Sequence, residues 1–513
     1  MEEIIIRGGM IADGTGRPMY RADVAVKDGV IEEIGDLKGR TAEKELDASG
    51  LIVAPGFFDV HSHSDTSFLK DSSSASKLYQ GVTTEISGQC GSSPFPSEPG
   101  DLFECGSFDE FVRKFEESDY SMAVNQAVLA GHGSLRAKVI GYEDRRPTKD
   151  ELDRMKEMLR RDLTAGAWGM SLGLEYAPGF FAEQEELIEL AKVVKEFDGL
   201  VPCHMRNEGL NIGEALDELL NVGRESGAHV HVSHIKLDNF RVHGSAGTVW
   251  EKIDKARRGG VNVTADLYPF TASCTSLSIR CPKWSKEGGS EALVGHLTGA
   301  RRQEVIEGIR SHYFNAERAE TCLINDDAGC WPQIVGKTLK FIAEEYLHTT
   351  DYAEAAAEIL IRTKGYAGGI FFVMDERDML YFLGKDVLIG SDGYALPGEA
   401  KKLSSRPHPR SFAAVSEFFR LARERRLCSI EEAVYRVTGK AADLMGMKDR
   451  GRLLPGMAAD ITVFDEKKIG PRATYLDSVQ LSEGVVHMLV NGGVAMEDGR
   501  QTEQRMGEML IKV

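Results

Sequence analysis

The chain reads as an α/β protein: a (β/α)8, or TIM, barrel, a small β-sandwich domain formed from both chain ends, and a lid-like insertion. Three observations lead there. Strand-like apolar runs alternate with helical patterns through the middle of the chain, which implies a parallel sheet. Eight such runs are present, GFFDVHSH, GVTTEISG, MAVNQAVLAGHG, AWGMSLGLEY, LVPCHMR, HVHVSHIK, VNVTADLYPF and DVLIGSDG, enough to close a barrel. Short β-rich stretches stand at both ends and flank the rest.

In order, residues 1–54 form the first β unit, with Asp28-Gly29 where a tight hairpin turn is needed. The barrel is expected over 55–449. Within it, Thr148-x-x-Glu151 opens a helix as a capping box, with Leu152, Met155, Leu159 and Leu163 on one face and Gly166 as the stop. Ser429-x-x-Glu432 opens another. The polar tract at about 282–335 is longer than a barrel loop requires and reads as an insertion over the site, with hinge-like Gly288 and Gly289. Residues 450–513 return to β character, with Asn491-Gly492 as a second hairpin turn, and are expected to join 1–54.

The 513 residues are 42% hydrophobic, enough for a large core. A net charge of −18 argues against nucleic acid or an anionic membrane surface as partner. No apolar run approaches the roughly 18 residues of a membrane span, and MEEIIIRGG does not resemble a secretory signal. Eight cysteines in such a chain are no disulfide framework, and a cytoplasmic location is expected. No feature of the sequence sets an oligomeric state.

The chemistry concentrates in PGFFDVHSHSD…QGVTTEISGQCG. His61 and His63 share one face of a strand because strand side chains alternate. Cys90 follows the next strand, and His204, His234 and Asp392 stand at the ends of others. Imidazoles and a thiolate are ligands for Zn2+. A lone His-x-His is weak evidence; with a cysteine, two strand-end histidines and a strand-end aspartate it is specific. Free cysteines are usually small apolar residues. Cys105, Cys203, Cys274, Cys281, Cys322, Cys330 and Cys428 are read so, whereas Cys90 lies between two glycines after a strand. His229 is expected to be solvated, His231 to pack or back up the site, His132 to line the site or back it up, and His408 to hold a loop.

These motifs, with PGMAADITVFD, AGHGSLR, CHMRNEG, ADLYPF, IGSDG and HPRSF, resemble the amidohydrolase superfamily, and within it the N-acyl-D-amino-acid deacylases (D-aminoacylases). The fourth strand, SLGLEY, lacks the lysine that hydantoinases and dihydroorotases typically use to bridge two metals. The resemblance implies zinc-dependent hydrolysis of an N-acyl-D-amino acid to a carboxylate and a free D-amino acid. Cys90, His204 and His234 would hold one tightly bound zinc. His61 and His63 would lie with Cys90 at a second, weaker site, and Asp392 would be the catalytic acid/base. Lys236, Tyr268, Ser273 and Arg280 would clamp the substrate α-carboxylate, which suits an acidic protein that must supply local positive charge. The rivals are a cyclic-amide hydrolase, a D-amino-acid-releasing dipeptidase and a non-catalytic barrel that has lost its metal.

Overall fold

The computed structural model describes residues 3–98 and 100–513. Its centre is a ring of eight short parallel strands. The first, Phe57–Asp59, pairs with the second, Val82–Ser87, which pairs with the third at Asn125–Val128. The third continues at Ala130–Gly131 and pairs with the fourth, Met170–Gly173. Leu200–His204, His229–Val232 and Val263–Leu267 follow as the fifth to seventh. The eighth, Leu388–Ile389, pairs with the seventh. The ring closes where Val60 N–H donates to Ile389 O and Ser62 bridges Gly393 in parallel. The second strand is buried at all six positions, Glu85 included, as expected where both sheet faces are covered.

Helices pack outside the ring by their apolar stripes. Lys149–Thr164 begins at the capping box of Thr148 and Glu151 and buries Met155, Leu159 and Leu163 against the barrel core. Gly166, at φ +101°, turns the chain back toward the fourth strand.

The two chain ends meet in one nine-stranded sheet. Ile52–Pro55 runs antiparallel to Ile461–Phe464 and joins the N-terminal strands to the C-terminal ones. Ile6, Val24 and Ile31 share an apolar cluster with Ile461, Val463 and Leu489, so the sheet encloses its own core. Both expected hairpin turns lie in the left-handed region: Asp28 and Gly29 at φ 50° and 83°, Asn491 and Gly492 at 47° and 81°.

Residues beyond the seventh strand build a separate layer. Ser273–Ser276, Cys322–Asp326, Lys337–Thr338 and Gly368–Phe371 form an antiparallel sheet. Leu277, Leu293, Val305, Ile324, Ile359 and Phe371 share a core apart from that of the barrel. The tract read as an insertion over the site is thus part of a larger folded unit. Gly288 and Gly289 lead directly into the helix Gly289–Thr298. Among the described residues, no helix is long and apolar enough to cross a membrane.

Candidate metal centre

The candidate ligands reach the barrel mouth from separate strands. His61 and His63 follow the first strand, Cys90 the second, His234 the sixth and Asp392 the eighth, while His204 ends the fifth. The Cys90 Sγ lies 3.4 Å from His61 Nε2, 3.4 Å from His234 Nε2 and 3.8 Å from His204 Nδ1. Asp392 Oδ1 is 3.0 Å from His63 Nε2 and 3.6 Å from His61 Nε2. Two overlapping donor sets share Cys90, namely Cys90-His204-His234 and His61-His63-Cys90-Asp392, and a third, Glu175-His204-Glu208, shares His204.

Close backbone packing fixes the thiol. Gly173, the last residue of the fourth strand, runs beneath it: a Cβ at Gly173 would stand 1.9 Å from the Cys90 carbonyl oxygen. Gly91 is pressed against Gly173 from the other side, its own would-be Cβ 2.6 Å from the Gly173 nitrogen. The end of the fourth strand therefore has no room for a side chain, and the strand carries no lysine.

Three of the four ligand imidazoles have a carboxylate at the far nitrogen. His204 Nε2 lies 3.0 Å from Glu175, His234 Nδ1 3.0 Å from Glu208, and His61 Nδ1 3.5 Å from Asp266. Asp266 also accepts from the backbone N–H of His234 at 2.9 Å and meets His231 Nε2 at 2.7 Å. Such carboxylates set tautomer and ring orientation at metal sites. The electrostatics agree with a cation at the centre. Burial and the Asp392 charge push the Cys90 thiol well up, so its thiolate needs a positive partner. Burial and the Lys236 ammonium hold His234 down at about 3, which keeps its lone pair free. The residues present fit a zinc ion in donor type and number.

Asp392 is held from behind by Arg410, whose guanidinium lies 2.7 Å from Oδ2. Burial alone would raise this carboxyl, but Arg410, His234 and the His63 hydrogen bond overrule it and keep it well below the usual range. It is ionised and can accept a proton. Beneath the mouth the buried Lys77 meets Asp59 at 2.6 Å, Ser391 at 2.9 Å and Glu85 at 3.1 Å, tying the first strand to the loop of Asp392.

The expected substrate clamp is more complicated. Lys236 is buried, but its ammonium is engaged 2.6 Å from Glu208. It also lies 5.8 Å from the Tyr268 ring centre, which Arg410 faces at 4.7 Å. The hydroxyls of Tyr268 and Ser273 are buried with no hydrogen-bond partner among the described residues. Arg280 stacks over Phe371 at 4.5 Å and sits 3.9 Å from Asp238.

Other expectations need correction. His229 is not solvated: it is half-buried, meets Thr264 at 2.9 Å and is lowered to about 4 by burial. His132 does not face the ligands; it is buried against Glu186 at 2.8 Å, beside Arg136. Of the cysteines read as small apolar residues, Cys330 is exposed. His408 holds a loop as expected, donating to Ala272 O at 3.0 Å. The sequence reading missed Glu175, Glu208, Asp266, Lys77 and Arg410. Only Asp266 carried a signal, as a lone acid near the end of an apolar strand.

Fold and donor set define a metal-centred (β/α)8 barrel. The model of the amidohydrolase family matches residues 44–281 and 403–495. The chain is 34% identical to the N-acyl-D-glutamate deacylase of Alcaligenes xylosoxydans xylosoxydans, over 96% of this chain and 93% of that one. Among solved structures it is similar to an N-acyl-D-glutamate deacylase from Bordetella bronchiseptica complexed with zinc and a phosphonate inhibitor (TM-score 0.85, 33% identity, 99% of both chains). It is also similar to D-aminoacylase (TM-score 0.82, 30% identity, 99% of both chains). The chain belongs to the amidohydrolase family, in its N-acyl-D-amino-acid deacylase branch.

Proposed function

We propose that this protein is a zinc-dependent deacylase that hydrolyses the amide bond of N-acyl-D-amino acids to a carboxylate and a free D-amino acid. The observation that carries the reading is the convergence of the Cys90 thiol and the imidazoles of His204 and His234 beside the ionised Asp392. Cys90, His204 and His234 are assigned to one tightly bound zinc. His61 and His63, with Cys90 and Asp392, are assigned to a second, weaker site. When bound, the zinc polarises the amide carbonyl and acidifies water.

The rest is done by the chain's own groups. Asp392 Oδ1 takes a proton from the attacking water and delivers it to the departing amide nitrogen. Arg410 holds the opposite oxygen and so fixes which one is free. The Tyr268 and Ser273 hydroxyls, buried and without partners among the described residues, suit a substrate carboxylate, with Lys236 and Arg280 supplying positive charge. The substrate side chain is assigned to the layer of the 282–335 insertion. The domain division is proposed as 1–54 with 450–513, around a barrel of 55–449. Eight free thiols favour the cytoplasm.

The test is a chiral product assay over paired N-acetyl-D- and N-acetyl-L-amino acids, beginning with glutamate. Turnover of the D-series supports the reading. Turnover of the L-series alone, or of a hydantoin alone, overturns it.

A further inference from the structure

Glu208 has no part in the chemistry above, yet it is among the most deeply buried charges in the chain, 3% exposed. It follows His204 by four residues, on the loop between the fifth strand and the helix Ile212–Ser226. Its two oxygens serve different neighbours. Oε2 is 2.6 Å from the Lys236 ammonium and 3.6 Å from His204 Nε2. Oε1 is buried 3.0 Å from His234 Nδ1, near enough to accept from it, and has no hydrogen-bond partner among the described residues as the side chains stand.

Tautomer logic gives this contact its meaning. His234 faces Cys90 with Nε2, so that nitrogen must carry the lone pair if it is to bind a metal. The proton then sits on Nδ1. Two groups lie against Nδ1, the Lys236 ammonium at 2.8 Å and Glu208 Oε1 at 3.0 Å. An ammonium has no lone pair, so only Glu208 can accept that proton. Lys236 in turn donates to Glu208 Oε2 and to the His234 carbonyl at 3.0 Å. That leaves one of its three N–H bonds for a ligand.

We propose that Glu208 is a positioning residue that sets the metal-binding tautomer of His234 and, through its other oxygen, aims Lys236 at the substrate carboxylate. One buried carboxylate thus serves both the metal and the substrate end of the site. The inference rests on the ligand and clamp assignments of the proposed function, but its test does not need turnover.

The experiment is Glu208→Gln, read as zinc affinity by competition between the apoprotein and a chromophoric chelator. A glutamine keeps the shape but cannot accept from both neighbours. Outer partners of ligating histidines are worth roughly 10–100-fold in metal affinity, and a loss of that size is expected. Glu208→Gln leaves Lys236 without its counter-charge, so the double variant Glu208→Gln/Lys236→Met is measured beside it. The double variant removes the buried ammonium and also covers the case in which the single variant fails to fold. The same zinc loss in the double variant, with an apoprotein melting temperature near wild type, supports the inference. Wild-type zinc affinity in either folded variant overturns it, because Glu208 would then only neutralise Lys236. Wild-type protein that binds zinc but deacylates no N-acyl-D-amino acid would sink the functional reading alone, leaving the affinity comparison as it stands.

Discussion

Gly173→Ala is the smallest change that should dismantle the centre. The added Cβ would stand 1.9 Å from the Cys90 carbonyl oxygen and 2.6 Å from its carbonyl carbon. Real Cβ contacts essentially never fall under 3.0 Å, so one of the two backbones must retreat by about 1 Å. Neither is a flexible side-chain tip, and Gly173 is paired in the sheet with His204 of the fifth strand, next to the Leu174 N–H that donates to the His204 carbonyl. The shift falls on the Cys90 loop and moves Sγ relative to His204 and His234. Metal–ligand distances tolerate only about 0.2 Å, and a 1 Å misplacement near an active site costs roughly 100-fold in rate. Overpacking adds about 1–3 kcal/mol of instability. The assay is zinc content of the purified protein by elemental analysis, with kcat/KM on an N-acyl-D-amino acid. Substoichiometric zinc and at least a roughly 100-fold loss are expected. Gly295→Ala, where a Cβ meets nothing within 4 Å, is the control and should behave as wild type. Full zinc and full activity in Gly173→Ala would refute the claim that the fourth strand sets the thiol.

Other outcomes follow from the same geometry. Asp392→Asn should lower kcat by about 10²–10⁴-fold while zinc content stays near wild type; retained activity removes Asp392 from the mechanism. Tyr268→Phe deletes a buried hydroxyl with no partner among the described residues. It should raise KM about 10-fold or more for a substrate with a free carboxylate, a charge-assisted hydrogen bond being worth about 1.5–3 kcal/mol, and leave the methyl ester of that substrate unaffected. Equal effects on acid and ester would place the carboxylate elsewhere. His229 is lowered to about 4 by burial, below the roughly 6.5 of an unfolded histidine. As pH falls from about 6.5 to 4, the unfolded chain takes a proton that the folded one refuses, so stability drops across that window and levels off beneath it. The contribution is about 2 kcal/mol after allowance for partial exposure. Urea unfolding at pH 7 and pH 4.5 should show a smaller drop for His229→Gln than for wild type; identical drops would contradict the assignment.

The barrel was legible because its strands are short apolar runs with punctuated ends, and a run buried on both faces looks the same wherever it pairs. His61 and His63 were legible as a pair from their spacing, although the strand expected to carry them ends at Asp59 and both lie just past it. What connects one strand to another was not legible. Lys236 looks free in SHIK; its counter-ion comes from the loop after the preceding strand. Arg410 lies eighteen residues beyond the aspartate it restrains, in a helix whose other buried residues are mostly apolar or small. The 282–335 tract read as a polar insertion over the site, and not as part of a folded layer, because amphipathic helices average to polar, and their apolar stripes showed only once packed together. His229 looked solvated because its cover, Thr264, belongs to the neighbouring strand.

The convergence itself relies on a backbone state that sequence seldom announces. Cys90, His234 and Asp392 have φ of +53°, +36° and +49°. Left-handed backbone is normally announced by glycine or asparagine, and for other residues it costs roughly 1–3 kcal/mol at each position. All three positions lie just past a barrel strand, on the second, sixth and eighth. At such a point a left-handed step reverses the pleat, so a side chain that would continue along the strand turns in over the barrel axis. His61, His63 and His204 keep ordinary backbone: His204 ends its strand, while His61 and His63 lie just past theirs, on either side of the Ser62 bridge to Gly393. Two local geometries therefore build one site: ordinary backbone at and just past the strand ends presents three imidazoles, and the strained exits bring the thiol, the fourth imidazole and the carboxylate to meet them. A glycine at any of the three exits would relax the backbone and delete the chemistry, which is why strain and function coincide there.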